Sequence, residues 1–168
     1  MSINPSLPAL QVGPDVAVEL QPFEQLLGSA IGAFLTTLVV GAILIAIAPD
    51  YTEGKMATLL AEPLGSLLYG LVVFVFLTLV VVVLVLTIIG ILVAIPLLLV
   101  SYLVWAVGAS VAYLAIGERL VGRDDGWTKP LLVGATINGA LTLTGVGGIL
   151  TFGIGAAGFG AVVRDYLG

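Results

Sequence analysis

The sequence predicts an all-α integral membrane protein of about five transmembrane helices, one followed by two helical hairpins. Three observations lead there. The stretches Gln25–Pro49, Pro63–Gly117 and Pro130–Val163 contain no Asp, Glu, Lys or Arg. A charge at the bilayer centre costs about 2.5–3.5 kcal/mol on insertion scales, so gaps of this length mark lipid-embedded segments. Composition agrees: 60% of the residues are hydrophobic, 9% are charged and the mean hydropathy is +1.26, well outside the range of soluble domains. Finally, all five bases fall outside the gaps, in segments that an odd number of crossings places on one face.

Residues 1–25 read as an acidic, extracellular tail carrying Asp15, Glu19 and Glu24 and no base. Pro5, Pro8, Pro14 and Pro22 argue against a long helix, so a loose tail is expected, with Val16–Leu20 as a short strand or docking segment in the alternative. The positive n-region and apolar core of a cleavable signal are both missing. Residues 26–168 form the polytopic domain. Its first span is Leu26–Ala48, closed by Pro49-Asp50, and a polar loop, 49–62, follows.

As one helix, Pro63–Gly117 would be about 80 Å long, against a hydrocarbon core of about 30 Å, so it must fold back. Gly90 and Pro96 are the breakers, giving helices near 64–89 and 92–117; the alternative for Pro96 is a kink early in the second of these. The third gap breaks at Gly145, Gly147 and Gly148, leaving arms of 129–144 and 148–164. These are short for full crossings and read as short spans, with a re-entrant hairpin as the alternative.

The two hairpins repeat one another. Glu62-Pro63-Leu64 opens one and Lys129-Pro130-Leu131 the other; Leu86-Thr87-Ile88-Ile89-Gly90 is matched by Leu141-Thr142-Leu143-Thr144-Gly145. This is the pattern of a parallel duplication. Lys55, Arg119, Arg123, Lys129 and Arg164 then share one face, which the positive-inside rule makes cytoplasmic, with the N-terminus outside and the protein multi-pass in the cell membrane. Tyr51, Tyr69, Trp127 and Tyr166 fall near that boundary, where amphipathic rings are favoured.

Ten acids against five bases give a net charge of −5, so no basic stripe exists to meet nucleic acid. The acidic balance also suits a salt-loving, halophilic source. With no Cys and no His, thiol chemistry and the commonest zinc ligands are excluded. Gly153-Ile154-Gly155-Ala156-Ala157-Gly158 fits a dinucleotide fingerprint but lies in an apolar span without the strand or the acidic partner that motif needs. Asp124-Asp125-Gly126 reads as a hydrophilic turn rather than a Mg²⁺ site. No catalytic residue, cofactor or metal site is expected.

Small residues recur every four positions in three places: Ala33, Thr37 and Gly41; Ala135 and Gly139; Gly153, Ala157 and Ala161. Such stripes let helix backbones approach closely in lipid. Asn138 is expected to hydrogen-bond a neighbouring helix.

The order Ile47-Ala48-Pro49, Glu62-Pro63-Leu64-Gly65-Ser66-Leu67-Leu68-Tyr69-Gly70, Leu86-Thr87-Ile88-Ile89-Gly90-Ile91 and then a Gly-rich hairpin resembles the membrane domain that follows the polymer-forming, bactofilin-like β-helical domain in archaeal and bacterial proteins. The resemblance covers roughly residues 26–168. It departs from the family pattern, Gly-Ile-Pro, at Leu92, with the proline at Pro96, and no β-helical repeat precedes it. It implies a non-enzymatic membrane anchor or scaffold subunit. The expected partners are therefore membrane lipid and either a second copy, as a homo-oligomer, or another membrane protein. The rival reading is a small oligomeric channel or transporter built on the duplicated hairpin, lined by Thr and Asn138.

Overall fold

The computed structural model describes residues 14–144 and 146–167; residues 1–13 of the acidic tail and the turn glycine Gly145 lie outside the described residues. Among the described residues there are six helices and no strand: α1 (Pro14–Ile47), α2 (Pro49–Ala61), α3 (Pro63–Val85), α4 (Ile88–Val121), α5 (Thr128–Thr142) and α6 (Gly147–Leu167). Four stretches are long and apolar enough to cross a membrane: Phe23–Ile47, Pro63–Val85, Ile88–Val121 and Gly147–Arg164. At 15 residues α5 is about 22 Å long, short of the about 30 Å a bilayer core needs without local thinning.

Two segments differ from expectation. Residues 14–25, read as a loose tail, are the first turns of α1. Pro14 opens the helix where a missing N–H costs nothing, and Pro22 leaves only one ladder bond unmade. Residues 49–61, read as a loop, are the helix α2. Pro49 starts it, Asp50 lies in its first turn beside the positive helix end, and Thr52, Lys55, Met56 and Leu59 form one buried face. The spacing was visible in the sequence, but a lysine in the middle of the stripe concealed it.

The turn between α3 and α4 is at Leu86-Thr87, so Gly90 is not the breaker but a residue of the first turn of α4. The Thr87 hydroxyl accepts from the Gly90 N–H at 2.9 Å and donates to the Leu84 carbonyl at 3.1 Å. Pro96 lies inside α4, the alternative placement, and breaks nothing. Gly147 and Gly148 likewise begin α6 rather than form the turn before it.

The duplication is visible in the structure, in a register two residues from the one the sequence suggested. Leu84, Thr87 and Gly90 correspond to Leu141, Thr144 and Gly147. Thr144 Oγ1 donates to the Leu141 carbonyl at 2.8 Å, and in both turns a Cβ on the glycine would run into the leucine oxygen. The helix crossings repeat too. Where α3 meets α6, Gly70 abuts the Ala156 carbonyl and Gly160 the Ser66 carbonyl; where α5 meets α4, Gly134 abuts the Tyr113 carbonyl and Gly117 the Pro130 carbonyl.

The buried core gathers at one end. Met56 and Leu59 of α2, Val111, Ala112, Leu114 and Ala115 of α4, Leu131 of α5 and Ala161 of α6 pack together. The opposite end of the α3–α4 hairpin is bare, with Leu86, Ile88 and Ile89 each at least 80% exposed.

Candidate functional site

Three arrangements of side chains stand out, and each begins with a residue type the sequence singled out. The first is the polar end of the bundle, where α2, the loop 122–127 and the last turns of α6 meet. Arg123 bonds Glu53 at 2.7 Å, reaches Glu118 at 3.6 Å and lies 4.3 Å from the centre of the Trp127 ring. Arg164 bonds Glu62 at 2.6 Å across α6 and α3, and Lys129 pairs with Asp125 one turn away. Lys55, only 4% exposed, stands 5.3 Å from the centre of the Tyr51 ring and 5.7 Å from that of Tyr166. Four of the five bases are thus tied into one cap, and Arg119 is exposed on the last turn of α4 beside them. These pairs are about a third exposed or more, so each contributes under about 1 kcal/mol, and the Arg123–Glu53 pair ties α2 to the loop after α4.

Asp124 and Asp125 occupy a turn flanked by Gly122 (φ 70°) and Gly126 (φ 94°), whose left-handed backbone a side chain would strain. No group of three or more acids that could hold a metal ion occurs among the described residues. The Gly153–Gly158 motif lies wholly within α6, and its Gly158 is packed against the Gly108 carbonyl, where no nucleotide could enter.

The second arrangement is the contact between α1 and α5. Asn138 Nδ2 donates to the Ala33 carbonyl at 3.2 Å and to Thr37 Oγ1 at 2.8 Å, joining two helices through their apolar lengths. Ala135 is fully buried, Gly139 faces the Ala30 carbonyl, and Gly41 faces the Leu131 and Leu114 side chains. Thr78, Thr136 and Thr142 return their hydroxyls to carbonyls of their own helices.

The third is the glycine surface of α6. The row Gly153, Ala157, Ala161 is not the line of closest approach: a Cβ on Gly153 would meet nothing within 4 Å, whereas Gly155 packs on Trp105, Gly158 on Gly108, and Gly160 on Ser66. Ala161 is buried and Ala157 packs against the core cluster. Between α3, α4 and α6 the rings of Phe74, Trp105, Phe152 and Phe159 lie 5.3–5.7 Å apart and line an apolar groove of about 530 Å³.

Two features went unremarked in the sequence. Gly28 and Gly32 form a G-x-x-x-G pair on α1, a pattern readable from spacing alone, and both have open space where a Cβ would be. Tyr113 is 1% exposed with a hydroxyl that finds no hydrogen-bond partner among the described residues, a property no sequence pattern announces.

Comparison with known proteins adds a family but no activity. A family model described as a domain of unknown function, DUF8173, matches residues 9–168. No curated protein and no solved structure matches the chain.

Proposed function

We propose that this chain, which belongs to the DUF8173 family, is a non-enzymatic, multi-pass membrane module that docks through its helices with a second copy of itself or with another membrane protein. The observation that carries this reading is the unoccupied glycine pair on α1. Elsewhere in the bundle glycines mark places where one backbone touches another, at Gly70, Gly108, Gly117, Gly134, Gly158 and Gly160. Gly28 and Gly32 present the same smooth surface with nothing within 4 Å of a Cβ, Gly32 at the edge of an open space of about 330 Å³ that α1 shares with α4 and α5. In lipid, where apolar burial no longer drives association, such a surface is what lets a further helix approach closely. The resemblance to bactofilin-associated membrane domains accords with an accessory or scaffold role.

Five crossings, with the basic cap on the cytoplasmic side and the start of α1 outside, are part of the same proposal. It is supported by the gathering of Lys55, Arg123, Lys129 and Arg164 at one end of the helices. A pore through a single chain is disfavoured by the glycine crossings, which bring α3, α4, α5 and α6 to backbone contact.

Because the chain has no cysteine, the test is direct. Gly28→Cys or Gly32→Cys in native membranes should form disulfide-linked dimers or adducts with a companion protein, and Leu79→Cys on α3 should not. If the α1 cysteines link to nothing while Leu79→Cys does, docking runs through another face and the α1 reading is wrong.

A further inference from the structure

The apolar helices of this chain are unequal in height, and the inequality can be read along α4. At its basic end Gly117 abuts the Pro130 carbonyl, so their sequence neighbours Glu118 and Lys129 mark one polar level. Two independent contacts mark a second level at the opposite end. Gly41 faces Leu114, and 17 residues back along each of these parallel helices Glu24 stands opposite Leu97. Gly158 abuts Gly108, and 11 residues back along each, Gly147, the first residue of α6, stands opposite the same Leu97. From Leu97 to Glu118 is 21 residues, about 32 Å, which fits a hydrocarbon core of about 30 Å. The α3–α4 hairpin continues for ten residues more, from Leu97 to its turn at Thr87, about 15 Å beyond the level of Glu24.

The chemistry of that extension suits hydrocarbon. Val83, Leu86, Ile88, Ile89 and Leu92 are each at least 65% exposed, and Thr87 is the only polar side chain between Thr78 and Ser101. The Thr87 hydroxyl bonds the Gly90 N–H and the Leu84 carbonyl, and the Thr87 N–H donates to that same carbonyl at 3.0 Å. A turn that satisfies its polar groups from within is what a medium without water demands. An apolar patch that docks a soluble protein carries a polar rim, and the two arms of this hairpin supply none. We infer that lipid hydrocarbon covers the tip. The outer leaflet is drawn up around the α3–α4 hairpin, higher there than beside α1 and the α5–α6 turn, and the chain favours long-chain lipid on that side. The inference rests on the five-crossing path proposed above and names the lipid that path requires.

Two measurements on the purified chain, in phosphatidylcholine nanodiscs holding one copy, test it. The parent has no cysteine, and an introduced thiol reacts with a water-soluble methanethiosulfonate as the thiolate, which needs a hydrated surrounding. Ile89→Cys at the tip should react at least about ten-fold more slowly than Glu24→Cys, although the tip extends further from the basic cap. If Ile89→Cys reacts as fast or faster, the tip stands in water and the inference is overturned. The parent's Tm should also rise by at least about 2 °C as the acyl chains lengthen from about 18 to about 22 carbons. Removing Leu77–Val83 together with Leu92–Leu98, about two turns from each arm, should abolish that rise. A parent Tm that fails to rise with chain length, or a shortened hairpin that keeps the parent's rise, overturns the inference. The docking role of α1 is read separately, from crosslinks in native membranes, and survives either failure.

Discussion

At the scale of single residues, glycine does two opposite things in this protein. Gly70 and Gly134 sit where any Cβ would enter the backbone of the facing helix, so their value lies in what they lack. Gly70→Ala should force α3 and α6 apart and cost about 1–3 kcal/mol, read as a fall in Tm of the detergent-solubilised protein. Gly153→Leu places a much larger side chain in open space and should leave the same melting curve close to the parent's. If Gly153→Leu proves the more damaging of the two, the close approaches described for α6 are in the wrong place. Asn138 is a different case, an amide whose N–H groups are both used between α5 and α1. Asn138→Leu should lose about 0.6–1.7 kcal/mol, the range of membrane interhelical hydrogen bonds, and its effect should shrink in a Thr37→Val background if the measured loss is that bond.

At the scale of elements, the two hairpins use one turn twice with unequal arms. Fourteen residues separate Gly70 from Leu84, but seven separate Gly134 from Leu141; 23 separate Gly90 from Tyr113, but nine separate Gly147 from Ala156. The differences, seven and 14 residues, are close to two and four helical turns, so the longer arms keep the same faces turned toward their neighbours. Thr87→Ala removes a cap from the N-terminus of α4 and should cost about 1 kcal/mol, whereas Thr144→Ala loses a bond back to the end of α5 and should cost less. The sequence made the repeat readable because both turns are written in Leu, Thr and Gly. Its register was two residues off because a run of Thr and Gly offers several equivalent alignments, and only the hydrogen bonds choose among them. The helix α2 escaped for a different reason: its buried face includes Lys55, and a charge in an apolar stripe reads as solvent exposure until two tyrosine rings are seen around it.

At the scale of the whole molecule, the Arg164–Glu62 pair brings the end of α6 beside the start of α3, while α1 begins at the other end of the bundle. Tags on the two termini should therefore be reached from opposite compartments, with the C-terminal tag on the cytoplasmic side; accessibility of both from one side would refute the five-crossing path. The ion pairs of the cap are a poor place to look for stability. Glu62→Gln should shift ΔG by less than about 1 kcal/mol, and by less still at high salt, because both partners face water.

Charge placement and hydropathy by themselves determined that the chain is helical, where its apolar helices run, and which residues face the polar end. That information is one-dimensional, since a run without charge is a statement about the medium and needs no neighbour to be true. Tertiary structure decided the rest. It settled which glycines touch another backbone and which stand open, the burial of a lysine in the inner face of α2, the use to which Asn138 puts its amide, and the burial of the Tyr113 hydroxyl with no partner among the described residues. Each of these depends on the azimuth of one helix against another, and in a chain this uniformly apolar many azimuths satisfy the same pattern, so only close packing selects one.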